Sequence, residues 1–118
     1  MIKGIGIDLI EIDRIERGIQ SNQKFIERIL TENEKNLYNA LKADHRKAEF
    51  VAGRFAAKEA LAKAMGTGIG KEFSFQDISI TKSDKGSPMM KVENCPYKVW
   101  VSISHSQSHA IAQVVLED

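Results

Sequence analysis

Two acidic residues, Asp8 and Glu59, occupy positions where folding alone does not call for a carboxylate, so both are candidates for a chemical role. Asp8 closes a segment in which glycine and isoleucine alternate from Gly4, the pattern of a buried β-strand. Glu59 lies four residues after Phe55 and so continues the apolar stripe of a predicted helix. A carboxylate on an apolar face must be paired, hydrogen-bonded or bound to a metal, because burying it alone is costly.

A divalent cation would explain both carboxylates if the strand and the helix pack together. Mg²⁺ prefers oxygen ligands and often takes only one or two carboxylates, leaving its other positions to water and substrate phosphates. Two simpler interpretations stay open at the level of the sequence. Glu59 could form an ion pair with Lys63, four residues further on. Asp8 could cap a helix that starts near Glu11.

Basic residues that could bind a phosphate concentrate on and before the same helix. Lys63 is the strongest candidate, because it shares a helix face with Glu59. Lys42 and Lys47 are expected on a solvated face, and Arg54 and Lys58 have the spacing of exposed neighbours. The glycine-rich segment 66–71 that follows would let a phosphate approach the backbone. Because it lacks the Gly-Lys-Ser/Thr ending of a P-loop, a nucleoside-triphosphate switch is not predicted.

A serine and histidine cluster at residues 102–105 is the third candidate for chemistry. The sequence has no Gly-x-Ser-x-Gly elbow, and neighbouring Ser104 and His105 rarely aim at each other from a strand, which disfavours a hydrolase triad. His105 and His109 are four apart, but their segment is predicted as strand and turn rather than the helix that a zinc pair needs. His105 is therefore predicted to contact a phosphate or a hydroxyl group.

The first helical segments carry a basic stripe of Arg14, Arg17 and Arg28 around Phe25. Such a stripe is ordinarily a solvated helix face. It would also suit the docking of an acidic protein helix, with charge attraction speeding association and the aromatic ring serving as an anchor. Both interpretations remain open from the residues alone.

Composition excludes several classes of protein. The chain has 118 residues, which fits one domain, and it is 42% hydrophobic and 28% charged, as in ordinary globular proteins. A formal net charge of +1 does not favour a general nucleic-acid binder. Cys95 is the only cysteine, so an internal disulfide cannot form and a reducing compartment is expected. No apolar run reaches membrane-spanning length, and glycines and Asp8 interrupt any secretion-signal pattern, so we expect a cytoplasmic protein without membrane contact.

The order of predicted elements is one strand, a block of helices and a run of strands. The strand covers residues 2–10, with Ile5, Ile7 and Leu9 on one face. Helical turns follow with a break at Ser21 or Asn22, a capping box at residues 31–34, and a long helix from about residue 44 to Gly66. Strands are predicted at residues 75–82, 89–92, 98–104 and 109–116. This order indicates an α+β fold with helices packed on a mostly antiparallel sheet.

Three segments together resemble the holo-acyl-carrier-protein synthase family of 4′-phosphopantetheinyl transferases. They are GIDLIEIDRI at residues 6–15, FAAKEALAKAMGTG at residues 55–68 and VSISH at residues 101–105. The second segment is the most specific of the three, and the resemblance runs in order through nearly the whole chain. It implies a single 4′-phosphopantetheinyl transferase-like domain over residues 1–118.

The resemblance implies transfer of the phosphopantetheine arm of coenzyme A to a serine of apo acyl-carrier protein, in support of fatty acid biosynthesis. Mg²⁺ would join Asp8 and Glu59 to the coenzyme A diphosphate, and Lys63 would bind that diphosphate. Glu59, directly or through a metal-bound water, would accept the serine proton, and the resemblance does not decide between the two routes. The remaining implied contacts are Arg46, Arg54 and His105 to nucleotide phosphates, Gly66, Thr67, Gly68 and Ser104 along the coenzyme cleft, and Arg14, Arg17, Phe25 and Arg28 to the carrier protein.

The resemblance also implies a homotrimer with active sites between subunits. The residues themselves indicate association only through the apolar strand face of Ala110, Ala112, Val114 and Leu116, which could serve a core or an interface. Two other functions compete with the transferase. One is a different Mg²⁺-dependent enzyme such as a small phosphohydrolase, and the other is a protein that binds coenzyme A or an acidic partner without turnover.

Overall fold

The computed structural model describes residues 1–69 and 73–118, so Gly70 and Lys71 of the predicted glycine-rich segment lie outside the described residues. The α+β prediction is confirmed. The strands are β1 (Ile2–Glu11), β2 (Ile78–Lys82), β3 (Pro88–Val92), β4 (Lys98–His105) and β5 (His109–Glu117). The helices are α1 (Ile12–Ser21), α2 (Lys24–Ile29), α3 (Glu32–Ala40) and α4 (Asp44–Met65), with a short 3₁₀ helix at Phe75–Asp77.

The strands form two antiparallel sheets. β5 lies between β1 and β4 in a three-stranded sheet, and β2 pairs with β3 in a hairpin. Ala110, Ala112, Val114 and Leu116 face α4 and are buried, so this strand face forms core rather than interface. The predicted strand at residues 75–82 begins three residues late, because the side chain and backbone of Ser74 form a capping box with Asp77 that starts the 3₁₀ helix.

Local signals explain the helix boundaries. The capping box predicted at residues 31–34 is present, with Thr31 and Glu34 exchanging side-chain to backbone hydrogen bonds at the start of α3. Gly66 ends α4 in the left-handed region at φ 77°, where a residue without Cβ is favoured. The break between α1 and α2 falls at Asn22, whose Oδ1 accepts a hydrogen bond from the amide of Lys24.

Helix α4 is buried on nearly every side, which the single predicted stripe did not anticipate. It packs against β1, β5, α1 and α2, and its buried residues include many alanines that let these neighbours come close. The expectation that Arg54 and Lys58 are exposed neighbours is wrong. Lys58 is 0% exposed and Arg54 is 8% exposed. The other elements wrap around the helix at these positions and exclude solvent from side chains that helical spacing alone would leave outside.

β1 is not buried on both faces, and its larger apolar side chains lie on the exposed face. Ile5, Ile7 and Leu9 point away from α4 and are 62%, 53% and 61% exposed. With Trp100 and Ile111 they form the exposed sheet face, on the side of the sheet opposite α4. The glycines form the inner face instead, and they let the backbone of β1 approach that of α4, as the sequence predicted.

The contact between β1 and α4 has no room for a side chain on the strand. A Cβ built at Gly4 would overlap the carbonyl oxygen of Ala64. A Cβ built at Gly6 would overlap the carbonyl oxygen of Ala60 and would lie 2.7 Å from the amide nitrogen of Ala64. Because these neighbours are backbone atoms of a buried helix, they cannot move aside without displacing the helix.

We expect Gly6→Ala to lower the free energy of unfolding by about 3 kcal/mol, since the new methyl group forces the strand and helix apart. The measurement is urea unfolding followed by circular dichroism. Gly53→Ala is the matched control: its Cβ would meet only the Cγ2 of Ile103 at 3.2 Å, and alanine is the better helix former. The control should change stability by less than about 1 kcal/mol in either direction, and equal losses for both variants would contradict the close-contact argument.

Candidate functional site

Asp8 and Lys63 meet where β1 crosses the last turns of α4. The Lys63 ammonium donates to Asp8 Oδ1 at 3.0 Å and to the carbonyl oxygen of Ile7 at 3.0 Å. The ion pair of Lys63 is therefore with Asp8 rather than with Glu59. Asp8 does not cap α1, whose N-cap residue is Glu11. The structure therefore contradicts both simpler interpretations, the Glu59–Lys63 ion pair and the helix cap at Asp8. It shows instead a cluster that joins a strand and a helix.

Glu59 lies beside this cluster, half-buried on α4. Burial raises the pKa of the Glu59 carboxyl above its ordinary value, and the negative charge of Asp8 raises it further. The positive charge of Lys63 opposes both effects. Asp8 and Glu59 are thus close enough to repel each other, and we call them the acidic pair.

The acidic pair fits a hard divalent cation that is shared with a phosphate. Two carboxylates and a lysine supply oxygen ligands and one phosphate-binding charge, and a cation between the carboxylates would relieve their repulsion. Among residues 1–69 and 73–118, no cluster of three or more histidine, cysteine or acidic side chains is placed to hold a metal by itself. A cation here would need ligands from the substrate or from water, which is the usual arrangement for Mg²⁺.

A groove opens in front of Glu59, with a cavity volume of about 440 Å³. Its apolar lining comes from α1, α2, α4 and the 3₁₀ helix, and two arginines lie at its rim. We call it the docking groove and define it by Arg14, Gly18, Phe25, Arg28, Ile29, Phe55, Glu59 and Phe75. Three of the four residues predicted to dock a partner therefore line the same cavity as Glu59. The fourth, Arg17, is exposed on α1 but does not line the groove.

Phe25 is half-buried rather than the exposed anchor that the sequence suggested. Its ring packs over Gly18, where a Cβ would lie 2.9 Å from the ring atom Cζ. The ring edge still forms part of the groove lining. The missing side chain at Gly18 thus allows α1 and α2 to close the groove with an aromatic wall.

A second cavity, of about 530 Å³, holds the predicted nucleotide contacts. Its basic residues are Arg46, Arg54, Lys82 and His105, and we call it the basic cavity. Among the described residues of its lining, Glu49 is the only acidic one, and its carboxylate lies 3.2 Å from Arg46 Nη1 and 3.5 Å from His105 Nδ1. An apolar wall with several cations suits a ring that carries phosphate groups.

Arg54 lines this cavity and has one side-chain donor without a partner among the described residues. Its guanidinium lies 3.9 Å over the ring of Phe50, and Nη2 donates to the carbonyl oxygen of Ile80 at 3.4 Å. Its Nε is buried and makes no hydrogen bond to the part of the chain that the structure describes. The nearest charge is the carboxylate of Glu34 at 3.9 Å, which is beyond hydrogen-bond reach. A buried donor without an acceptor is unfavourable.

The remaining predicted site residues lie at different places on the molecule. Ser104 points to the exposed sheet face, in the same row as Leu9 and Ile111, whereas His105 faces α4 and Glu49. The amide groups of Gly66, Thr67 and Gly68 donate to carbonyl oxygens at the end of α4, so they serve the helix cap. A Cβ built at Gly66 or Gly68 would meet no atom of the described residues within 4 Å. In the part of the chain that the structure describes, Glu59 and the predicted nucleotide contacts therefore line two different cavities.

Sequence reasoning missed a buried ion network of Glu34, Arg54 and Lys58. Lys58 donates to Glu34 Oε1 at 2.6 Å, and both side chains are fully buried. Two signals were available. Lys58 lies seven residues after Val51 and four before Ala62, so it belongs to the predicted apolar face. Glu34 was assigned only to the capping box, which uses one of its two carboxylate oxygens and leaves the other for a second partner.

Comparison with known proteins gives a consistent result. The sequence model of the 4′-phosphopantetheinyl transferase superfamily matches residues 4–114. A holo-[acyl-carrier-protein] synthase of a Geobacillus species is 56% identical over 117 residues, which is 99% of this chain and 98% of the relative. The crystal structure of a holo-(acyl-carrier-protein) synthase from Bacillus anthracis in complex with CoA (3′,5′-ADP) is 57% identical with a TM-score of 0.93, and the match covers 100% of this chain and 98% of that one.

The chain belongs to the 4′-phosphopantetheinyl transferase superfamily, and it is an enzyme of that class. Within the class it is similar over its full length to holo-[acyl-carrier-protein] synthases. A more distant example, the Helicobacter pylori synthase in complex with coenzyme A, is 40% identical with a TM-score of 0.84 over 96% of this chain and 99% of that one. The family predicted from the three sequence motifs is confirmed.

We expect Asp8→Asn to lower the pKa of Glu59, because it removes a neighbouring negative charge. The pKa should stay above the ordinary value, since burial is the larger cause. The measurement is an NMR titration of carboxyl-labelled glutamate in the protein without added metal. Lys63→Met is the matched comparison and should raise the pKa, because it removes the charge that opposes protonation. Shifts of the same sign in both variants would contradict this account of the cluster.

Proposed function

We propose that the protein is a Mg²⁺-dependent transferase that moves the 4′-phosphopantetheine arm of coenzyme A to a serine of apo acyl-carrier protein, releasing adenosine 3′,5′-bisphosphate. The supporting observation is that Glu59 belongs both to the acidic pair and to the lining of the docking groove. A macromolecular acceptor and a diphosphate donor can therefore meet at one carboxylate. The full-length likeness to holo-[acyl-carrier-protein] synthases supports the same substrates.

The reaction exchanges the phosphoanhydride bond of the coenzyme A diphosphate for a phosphoester bond to serine. The serine Oγ forms a bond to the phosphorus that carries the pantetheine arm, and the bond from that phosphorus to the bridging oxygen breaks. The electron pair leaves with the 5′-phosphate of adenosine 3′,5′-bisphosphate. Asp8 and Glu59 would hold Mg²⁺, and the cation would supply charge neutralisation for the attacked phosphorus and the leaving phosphate. Little covalent chemistry is left to the protein, so positioning and charge stabilisation are its main tasks.

Glu59 accepts the serine proton, directly or through water. Its carboxylate lies in the lining of the docking groove, where a serine hydroxyl of a docked partner could reach it. Lys63 is held by Asp8 and by the carbonyl oxygen of Ile7, so its ammonium is in place before the substrate binds. One of its three protons remains for the diphosphate, where it stabilises the charge that builds up on the leaving side.

The docking groove receives the carrier protein. Arg14 and Arg28 at its rim, with Arg17 beside them on α1, attract an acidic partner, and Phe25 offers an apolar contact. Glu59 lies in the lining of this groove, so a serine on a docked helix would approach the base from the solvent side. Exposed charges of this kind act at long range and are screened by salt, so the reaction with carrier protein should slow as ionic strength rises.

We propose a homotrimer with active sites between subunits, because one chain keeps its two phosphate sites apart. The basic cavity, with Arg46, Arg54 and His105, would bind the nucleotide end of a coenzyme A whose diphosphate lies at the acidic pair of a neighbouring subunit. The exposed sheet face gives an apolar surface for association, and Ser104 lies on it. Gly66, Thr67 and Gly68 would line the coenzyme cleft through the open space beside them.

Residues 1–118 act as a single transferase domain in this proposal. Within the described residues, no helix is long and apolar enough to cross a membrane. We propose that the enzyme works in the cytoplasm, where its lone cysteine would stay reduced. It needs no nucleic-acid or membrane partner, and its product would support fatty acid biosynthesis.

Incubation with apo acyl-carrier protein, coenzyme A and Mg²⁺ should add one phosphopantetheine mass to the carrier, as read by intact-mass spectrometry. Asp8→Asn and Glu59→Gln should each reduce the rate by about 10³-fold or more while leaving the fold intact. Phosphate release without carrier protein would favour a phosphohydrolase instead. Binding of coenzyme A without any mass gain would favour a protein that does not turn over its ligand. A near-wild-type rate for either variant would remove that residue from the site.

Arg14→Glu should raise the KM for carrier protein by about tenfold or more, because it reverses a charge at the rim of the groove. The dissociation constant for coenzyme A should change little, since the groove is not the proposed nucleotide site. Lys91→Glu, an exposed residue of the β2–β3 hairpin that does not line the groove, is the matched control for the change in net charge. Equal losses in carrier use for the two variants would show that net charge, rather than this groove, recruits the carrier.

A further inference from the structure

Lys58 is a buried cation that the proposed reaction does not use. Its side chain is 0% exposed, although lysine is almost never fully buried unless it is paired. The ammonium has three protons and donates to three acceptors: Glu34 Oε1 at 2.6 Å, the carbonyl oxygen of Ile29 at 2.7 Å and the carbonyl oxygen of Phe75 at 3.1 Å. Every donor is used, so the side chain has one geometry.

The three acceptors belong to different elements. Ile29 ends α2, Glu34 lies in the first turn of α3, and Phe75 begins the 3₁₀ helix. Burial of Lys58 therefore ties three separate segments to one point on α4. Glu34 extends the tie, because its Oε2 accepts from the amide of Ile80 in β2 and its Oε1 also accepts from the amide of Thr31.

Two of these acceptors belong to residues that line the docking groove. Ile29 and Phe75 line the groove together with Glu59, which follows Lys58 directly on α4. Lys58 reaches behind the groove, so its hydrogen bonds hold the α2 and 3₁₀ walls against the helix that carries Glu59. Gln76 strengthens the same corner, since its Nε2 donates to the carbonyl oxygens of Glu27 and Leu30 at 2.8 and 2.9 Å.

Stability alone is a weak reason for such a pair. Replacing a buried ion pair with neutral groups of similar size often costs little, because the charges lose their hydration when they are buried. Unlike an apolar side chain, the lysine makes directional hydrogen bonds, and each of them fixes the position of one groove wall.

We propose that Lys58, with Glu34, is a positioning residue that sets the distance between Glu59 and the groove walls formed by Ile29 and Phe75, and so places the carrier serine against its base. This inference rests on the proposed function. It assigns no contact between Lys58 and either substrate. Its effect passes through the backbone of the two walls, so it should alter use of the carrier protein and spare binding of coenzyme A.

The test uses the double variant Lys58→Met with Glu34→Gln. Methionine is close to lysine in length, and glutamine also serves in a capping box, so the start of α3 is kept. The double variant removes both charges of the Lys58–Glu34 pair, while Arg54 keeps its contact with the Phe50 ring and its hydrogen bond to Ile80, so it should unfold at a higher urea concentration than Lys58→Met alone. Its kcat/KM for carrier protein should still fall about tenfold or more, with the dissociation constant for coenzyme A within about twofold of wild type. Lys47→Met, on the same helix but outside the groove, should leave both values unchanged.

A second measurement does not depend on the reaction. Hydrogen exchange should be faster in the double variant at α2 and the 3₁₀ helix, with β1 and β5 unchanged. Unchanged exchange at α2 and the 3₁₀ helix would overturn the proposal, and so would a double variant that recovers carrier use together with stability. If wild-type protein forms no carrier adduct, the proposed function fails, and the exchange result still decides whether Lys58 fixes the two walls.

Discussion

The arrangement of the site depends on how closely β1 can approach α4. At Gly4 and Gly6 the strand backbone touches backbone atoms of Ala60 and Ala64, with no side chain between them. Asp8 follows two residues later on the same face of the strand, and Glu59 precedes Ala60 on the helix. Strand and helix thus meet at a distance set by the backbones themselves. A pair of carboxylates on two such elements can be held at a constant separation, which a shared cation requires.

Helix α4 carries most of the functional groups because it is surrounded. Arg54 and Lys58 leave one side of the helix and Glu59 and Lys63 leave another, and each of the four side chains has different partners. Arg54 reaches the basic cavity, Lys58 the interior, Glu59 the docking groove and Lys63 the strand that holds Asp8. A helix on the surface could serve only one of these directions. The alanines along α4 make this possible, because they allow neighbouring elements to pack on every side.

Much of this structure could be predicted from local patterns. The capping box at Thr31, the glycine stop at Gly66 and the alternation in β4 and β5 depend on neighbours in the sequence, and all are confirmed. The family was also predictable, because its motif around Glu59 combines several residue types at fixed spacing. The α+β class followed from the order of elements, and the paired sheets agree with it.

What could not be predicted depends on contacts between distant segments. The burial of Arg54 depends on the elements packed around α4, which its helical spacing does not specify. The spacing of Lys58 from Val51 and Ala62 was a signal of burial, but its acceptors on α2, α3 and the 3₁₀ helix are visible only in the structure. Likewise, the alternation of β1 identifies two faces but does not say which one meets the helix. The isoleucine face has the greater hydrophobicity, yet the glycine face is the inner one because only it allows backbone contact with α4. Close packing here outweighs the usual preference for burying the larger apolar side chains.

That reversal also bears on how the proposed active site is completed. The largest apolar side chains of β1 remain on the exposed sheet face, where single exposed residues would be ordinary but a continuous row is not. Along α4, Glu49 in the basic cavity and Glu59 in the acidic pair are ten residues apart, which is about 15 Å of helix. Their two cavities face different parts of the molecule in one chain. The close contact of β1 with α4 brings Asp8 to Glu59 and turns the isoleucines of β1 outward. We propose that other subunits pack against the exposed sheet face that results. The same contact would then provide the surface that brings a second subunit's basic cavity to the acidic pair.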